Sequence, residues 1–218
     1  MKNKKINIII ACLLAITLVY ILIVYPSLPD LIPTHFGVSG NADGYSKKSY
    51  IFVIYGLLIL LNILMPTIAK IDPKRENYSR FFKSFDISRV AINLLFMGLI
   101  VVITQSSLSN LTETFSVDRL VPAMLGLVFI VIGNYMPKFK HNYTMGIKTP
   151  WTLADENVWN RTHRISGPIW IFAGAIMIIN RFLFQNTLSM YIIIVVIIFI
   201  VIFPFVYSYL IYRKYHKE

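Results

Sequence analysis

KFKHNYTMGIKTPWTLADENVWNRTHRISG, residues Lys138–Gly167, is the longest polar stretch of the chain. The runs on either side of it, Leu120–Met136 and Pro168–Phe184, are apolar, 17 residues each. A polar stretch hung between two runs of nearly spanning length reads as a connection lying at one membrane face. It holds His141 and His163 of the four histidines, and Trp151 and Trp159 of the three tryptophans.

The rest of the chain fits that reading. Only 14% of its 218 residues are charged, mean hydropathy is +0.65, and a soluble domain carries roughly 25% charge. Continuous apolar runs point to helices, because a membrane barrel would alternate. Six spanning helices are predicted: Ile6–Tyr25, Ile51–Ala69, Ile87–Thr104, Leu120–Met136, Pro168–Phe184 and Ser189–Tyr212. The fold class is therefore an all-α, polytopic membrane protein. It groups as 1–69 (two spans and the Pro/Gly-rich loop 26–50), 70–136 (third and fourth spans), 137–167 (the polar segment) and 168–218 (last two spans and a basic tail). Ile6–Tyr25 follows a basic start, but its 20 residues exceed a signal-peptide core of about 7–15. No Ala-x-Ala-like site follows it, so it reads as an uncleaved first span.

Charge sets the expected orientation. The termini and the connections 70–86 and 137–167 hold Lys2, Lys4, Lys5, Lys70, Lys74, Arg75, Arg80, Lys83, Lys138, Lys140, Lys148, Arg161, Arg164, Arg213, Lys214 and Lys217, 16 in all. The opposite side holds Lys47, Lys48 and Arg119. The excess predicts N-in/C-in topology, with 137–167 cytoplasmic and 26–50 outside. A net charge of +11 gathered at span ends points to anionic lipid rather than direct nucleic-acid binding. Arg89 is expected to snorkel from a span end. Asn62, Asn93, Asn134 and Asn180 are expected to hydrogen-bond between helices. Gly126 and Gly133, seven residues apart, share a helix face and predict a close helix crossing.

Within the polar segment, Thr152 with Asp155 suggests a helix start, and Gly167 its stop. This predicts a short interfacial helix over Leu153–Ser166, with Trp151, Val158, Trp159 and Ile165 on its apolar side. No HExxH motif occurs, the two histidines are 22 residues apart, and the ligand pattern of a zinc site is missing. The histidines are expected at the surface or among headgroups. No metal, cofactor or catalytic residue is predicted, and Cys12 alone supports neither disulfide nor CxxC chemistry. In the outer loop, Pro33, Thr34, His35, Phe36, Asp43, Gly44 and Tyr45 make a candidate recognition surface, with a turn at Asp43-Gly44.

Gly133-Asn134-Tyr135-Met136-Pro137-Lys138, Asn142-Tyr143, Gly146 to Leu153 and Val158-Trp159-x-x-Thr162-His163-Arg164 resemble the signature of the SdpI-like immunity proteins. Ile32 to Phe36 and Asp43-Gly44-Tyr45 resemble a short domain of undefined function that begins many of them. The resemblance implies a bacterial cytoplasmic-membrane protein, not an enzyme, that protects against a secreted peptide toxin. It also implies a receptor role, holding a winged-helix repressor at the membrane. It implies partner docking at Gly146, Lys148, Thr149, Pro150, Trp151, Trp159, Arg161, His163 and Arg164; the outer-loop residues above, as the outward recognition surface, are then the expected toxin contacts. Lys148 stands where the family often has arginine. Two other classes remain open at this point: an exporter of a small peptide or envelope precursor, and a membrane enzyme using His141 and His163.

Overall fold

The computed structural model describes residues 3–37, 41–108, 117–184 and 187–216. In chain order it contains α1 (Lys4–Val24), β1 (Leu31–Phe36), β2 (Ala42–Lys47), α2 (Tyr50–Ile71), α3 (Tyr78–Leu108), α4 (Val117–Tyr135), α5 (Pro150–Ala154), α6 (Glu156–Leu183) and α7 (Thr187–Tyr215). All the helices but α5 are long and apolar enough to cross a membrane. At about 1.5 Å per residue the 22 residues of α2 reach past a hydrocarbon core of about 30 Å. The chain is thus an all-α, six-span protein, with one two-stranded sheet among the described residues.

The loop after α1 is not irregular, as the sequence suggested, but a β-hairpin. Leu31 pairs with Lys47, Ile32 with Ser46 and Pro33 with Tyr45; the register then shifts, and His35 faces Gly44. Two strands alone are marginal; this pair is anchored by a greasy root. Ile32 is fully buried and packs with Leu28, Ile21 of α1, Ile51 and Tyr55 of α2 and Ile100 of α3. The hairpin therefore caps the ends of the first three spans.

Polar bonds tie those spans together. Asn62 of α2 and Asn93 of α3 exchange amide hydrogen bonds at 2.9 and 3.0 Å, as expected of asparagines in spans. Tyr55 donates to the Leu14 carbonyl at 3.0 Å. Asn180 of α6 donates to the carbonyl of Ser189 in α7 at 2.9 Å, whereas Asn134 is exposed on α4. Arg89 does not snorkel. It is buried, bonded to Asn7 Oδ1 at 3.2 Å and paired with Asp86 Oδ1 at 3.5 Å. Its partner lies one turn back on the same helix, so the two charges offset each other in place. α3 begins at Tyr78 rather than Ile87, which places Asp86 and Arg89 together inside the helix. The 70–86 connection shrinks to a short turn, with a kink at Phe81 (φ −136°, ψ 21°) inside the helix.

The second half is built on a glycine crossing. A Cβ on Gly126 would lie 2.6 Å from the Gly174 carbonyl oxygen, and one on Gly133 would lie 2.7 Å from that of Gly167. The shared face of Gly126 and Gly133 thus meets a matching pair, also seven apart, on antiparallel α6. This also explains why Gly167 does not end a helix: it serves close approach rather than termination. The separate interfacial helix and fifth span of the sequence reading are one helix, α6, running through Gly167 and Pro168. Away from water a chain keeps helical hydrogen bonds wherever it can, so an interior proline is tolerated. The connections from the third to the fourth span and from the fifth to the sixth fall partly outside the described residues. What is seen is that α3 continues to Leu108 and α7 has begun by Thr187.

Candidate functional site

Residues 138–155 join α4 to α6 through a loop held by bonds from three directions. The first hold is on α6. Trp159 is fully buried and its indole N–H donates to the Phe139 carbonyl at 2.8 Å. His163, also fully buried, stacks on Trp159 with ring centroids 4.0 Å apart. Its Nδ1 lies 2.8 Å from the Trp159 carbonyl, and its Nε2 accepts the Ile147 N–H at 2.9 Å. A ring nitrogen against a carbonyl must donate and one against an N–H must accept. His163 is therefore the neutral Nδ1–H tautomer with both nitrogens in use. Gly146 adopts φ +117°, and a Cβ there would strike His163 Nε2 and come within 3.0 Å of the Trp159 ring. The glycine is needed both for its backbone angle and for its lack of a side chain.

The second hold comes from the turn between α2 and α3. Asp72 Oδ2 accepts from the Tyr78 hydroxyl and the Tyr143 N–H, both at 2.8 Å, and from Thr144 Oγ1 at 3.1 Å; Oδ1 accepts the Lys74 N–H at 2.7 Å. Burial alone would raise the Asp72 pKa, but these four bonds together bring it below the ordinary value. Asn77 donates to the His141 carbonyl at 2.8 Å. Asn142, fully buried, accepts the N–H groups of Thr144 and Met145 at 2.8 and 2.7 Å and so shapes the turn itself. His141 is buried against Trp159 at 5.2 Å and Tyr143 at 6.2 Å. Burial, with Lys74 adding to it, lowers its pKa. Neither histidine lies at the surface, contrary to the sequence reading, because the loop folds back over them.

The third hold is on α7. Thr149, not Thr152, caps α5: Thr149 Oγ1 accepts the Thr152 N–H at 3.1 Å and Thr152 Oγ1 accepts the Thr149 N–H at 2.9 Å. Pro150 takes the first helical position, where its missing N–H costs nothing. Asp155 instead caps α6, accepting from the N–H groups of Asn157 and Val158 at 2.6 and 3.0 Å. Thr149 Oγ1 also lies 2.9 Å from Ser208 Oγ of α7. Trp151 packs on Phe205 and Tyr209 of α7, at 4.9 and 5.0 Å between centroids.

The predicted docking residues thus divide. Gly146, Thr149, Trp159 and His163 build the loop, and Trp151 seals it to α7. Lys148, Pro150, Arg161 and Arg164 are exposed. The Lys148 ammonium lies over the loop's carbonyls, 3.2 Å from that of Thr144. Sequence reasoning missed Asp72, Asn77, Tyr78 and Ser208; nothing in their local sequence marks partners more than 50 residues away. On the hairpin, His35 Nδ1 and Asp43 Oδ1 are hydrogen-bonded and both residues are exposed, as is Tyr45. Thr34 bonds Ser46 at 3.1 Å, Phe36 is half-buried, and Pro33 is buried. A Cβ on Gly44 would lie 2.9 Å from that of His35. Among the described residues no group of three metal-ligating side chains occurs.

Residues 138–208 match the model of the SdpI/YfhL protein family. Residues 12–59, covering most of α1, the hairpin and the start of α2, match a domain of unknown function (DUF1648). Over 214 residues the chain is 28% identical to the immunity protein SdpI of Bacillus subtilis (strain 168), an alignment spanning 98% of both chains. No solved structure matches. With its six spans, the chain is a multi-pass cell-membrane protein.

Proposed function

Because residues 138–208 match the model of the SdpI/YfhL protein family, we propose that this chain is a membrane immunity protein that protects a bacterial cell from a secreted peptide toxin by binding it, without catalysis. The observation that carries this reading is the likeness to an immunity protein along 98% of both chains, hairpin and signature segment included. The site chemistry supports the non-catalytic part. Both nitrogens of His163 are bonded to the main chain, so it is poorly placed to exchange protons with a substrate.

With the termini in the cytoplasm, as the charge distribution supports, the hairpin faces outward and meets the toxin. Its exposed His35, Asp43 and Tyr45 are the contact residues in this reading. The clamped segment then faces inward. Its exposed Lys148 and Pro150 offer a docking surface for a winged-helix repressor, held stiff by the buried Trp159–His163 stack. The test is a titration of purified chain in nanodiscs with labelled secreted peptide toxins. Binding of one toxin, lost in His35→Ala/Asp43→Ala/Tyr45→Ala and kept in Lys148→Ala, is the expected result. Binding that ignores the hairpin changes would move the contact elsewhere, and catalytic consumption of the peptide would overturn the non-catalytic reading.

A further inference from the structure

The exposed side of α6, beyond the signature loop, carries a feature that the immunity reading does not use. Arg161 and Arg164, one turn apart, stand at the head of an open groove of ≈ 640 Å³. Ile165, Pro168, Ile169 and Phe172 continue it along the helix, and Tyr207 of α7 closes its side. Both arginines are exposed. Among the described residues neither has a carboxylate within ion-pair distance. Arg161 lies 5.3 Å from the Tyr215 ring, which steadies its guanidinium.

The main chain adds a further group. Pro168 lies inside α6 and has no N–H to give to the carbonyl four residues earlier, that of Arg164. Both ends of this missing hydrogen bond line the groove. The head of the groove thus joins two unpaired cations and one main-chain acceptor without its helical donor. An acceptor left so close to the hydrocarbon is costly unless something donates to it. Below the head, Ile165 to Phe172 gives an apolar wall about 10 Å long, with Phe172 strongly exposed at 70%.

We propose that this groove holds an anionic phospholipid whose headgroup carries free hydroxyls. Its phosphodiester lies against Arg161 and Arg164, matching the planar donor fork of arginine. A headgroup hydroxyl donates to the Arg164 carbonyl. One acyl chain follows Ile165, Ile169 and Phe172. A zwitterionic headgroup satisfies the phosphate contact but brings its own cation beside two others. A soluble phosphate makes no use of the apolar wall. The lipid belongs to the leaflet on the side of the chain termini, where α7 ends beside Arg161.

The proposal is tested on the full-length chain by native mass spectrometry after equilibration with equimolar phosphatidylglycerol and phosphatidylcholine. The parent is expected to retain phosphatidylglycerol about tenfold over phosphatidylcholine, given two charge-assisted contacts. Arg161→Gln/Arg164→Gln is expected to bring the ratio near one. Pro168→Ala keeps every charge but restores a donor for the Arg164 carbonyl. It is expected to lower phosphatidylglycerol retention about threefold and to leave phosphatidylmethanol, anionic without a headgroup hydroxyl, unchanged. Equal retention of the two lipids by the parent would overturn the proposal, and that arm needs no variant to fold. So would full selectivity in the double glutamine variant, or displacement of the lipid by inorganic phosphate.

Discussion

Gly146→Ala is the sharpest perturbation of the clamp. At φ +117° an alanine is held in backbone strain of about 1–3 kcal/mol. Its methyl also lands on His163 Nε2, where the Ile147 N–H now sits. Displacing that contact leaves a buried donor and a buried acceptor unpaired, worth about 1–3 kcal/mol more. The loss is therefore about 2–6 kcal/mol, a large share of the stability of a typical domain. Gly56→Ala is the matched control. Nothing lies within 4 Å of a Cβ at Gly56, so alanine there stabilises the helix by about 0.5–1 kcal/mol. Both variants, purified in mild detergent, are unfolded by denaturant while tryptophan fluorescence is followed. Trp159 stacked on His163 makes that signal report on the clamp. If Gly146→Ala unfolds within about 0.5 kcal/mol of the parent, the loop is not held by His163.

Further outcomes follow from the same contacts. Arg89→Leu leaves Asp86 buried without its partner and costs about 3–5 kcal/mol, while Asp86→Asn/Arg89→Leu costs clearly less; equilibrium unfolding of the three chains checks this. Gly174→Val drives a side chain into the Gly126 carbonyl and costs at least about 1–3 kcal/mol in the same assay. Acid weakens the clamp in two steps. The His141 pKa is lower in the folded chain than its ordinary 6.5, so the unfolded chain takes up the proton first. Stability therefore falls as pH drops below about 6.5 and levels off once the folded histidine also titrates. Asp72 contributes stability above its ordinary 3.8 that is lost as pH falls through its lower folded value. Unfolding midpoints measured from about pH 8 to about pH 3 should show the upper step reduced by His141→Gln, with the buried neutral His163 carrying the remainder, and the lower one reduced by Asp72→Asn.

What the sequence made legible was whatever is written in contiguous residues. The spans are continuous apolar runs, and membrane thickness turns each run into a helix. Gly126 and Gly133 announced a crossing by spacing alone, although their partners Gly167 and Gly174 passed unread. Gly167 after the polar segment reads as a helix stop; inside the bundle it serves close approach to Gly133, and α6 runs on through Pro168. The hairpin was hidden by its prolines and glycines, since its stability comes from Ile32 beneath it and not from strand propensity. The histidines were misplaced for a similar reason. Polar type suggests a surface, but His163 is paid for by bonds to Ile147 and Trp159, and His141 lies under a loop whose other holds come from Asp72 and Asn77. Those contacts are long-range, and no local pattern encodes them. Of the candidate docking residues, the sequence could not separate those that build the loop from those that face outward.

Protection of a living cell is read from survival. A bacterium sensitive to secreted peptide toxins, expressing this chain, is challenged with a panel of them beside cells carrying His35→Ala/Asp43→Ala/Tyr45→Ala at matched membrane levels. The parent is expected to rescue growth against at least one toxin, and the hairpin variant is not. Growth no better than in cells lacking the chain, across the whole panel, would contradict protection.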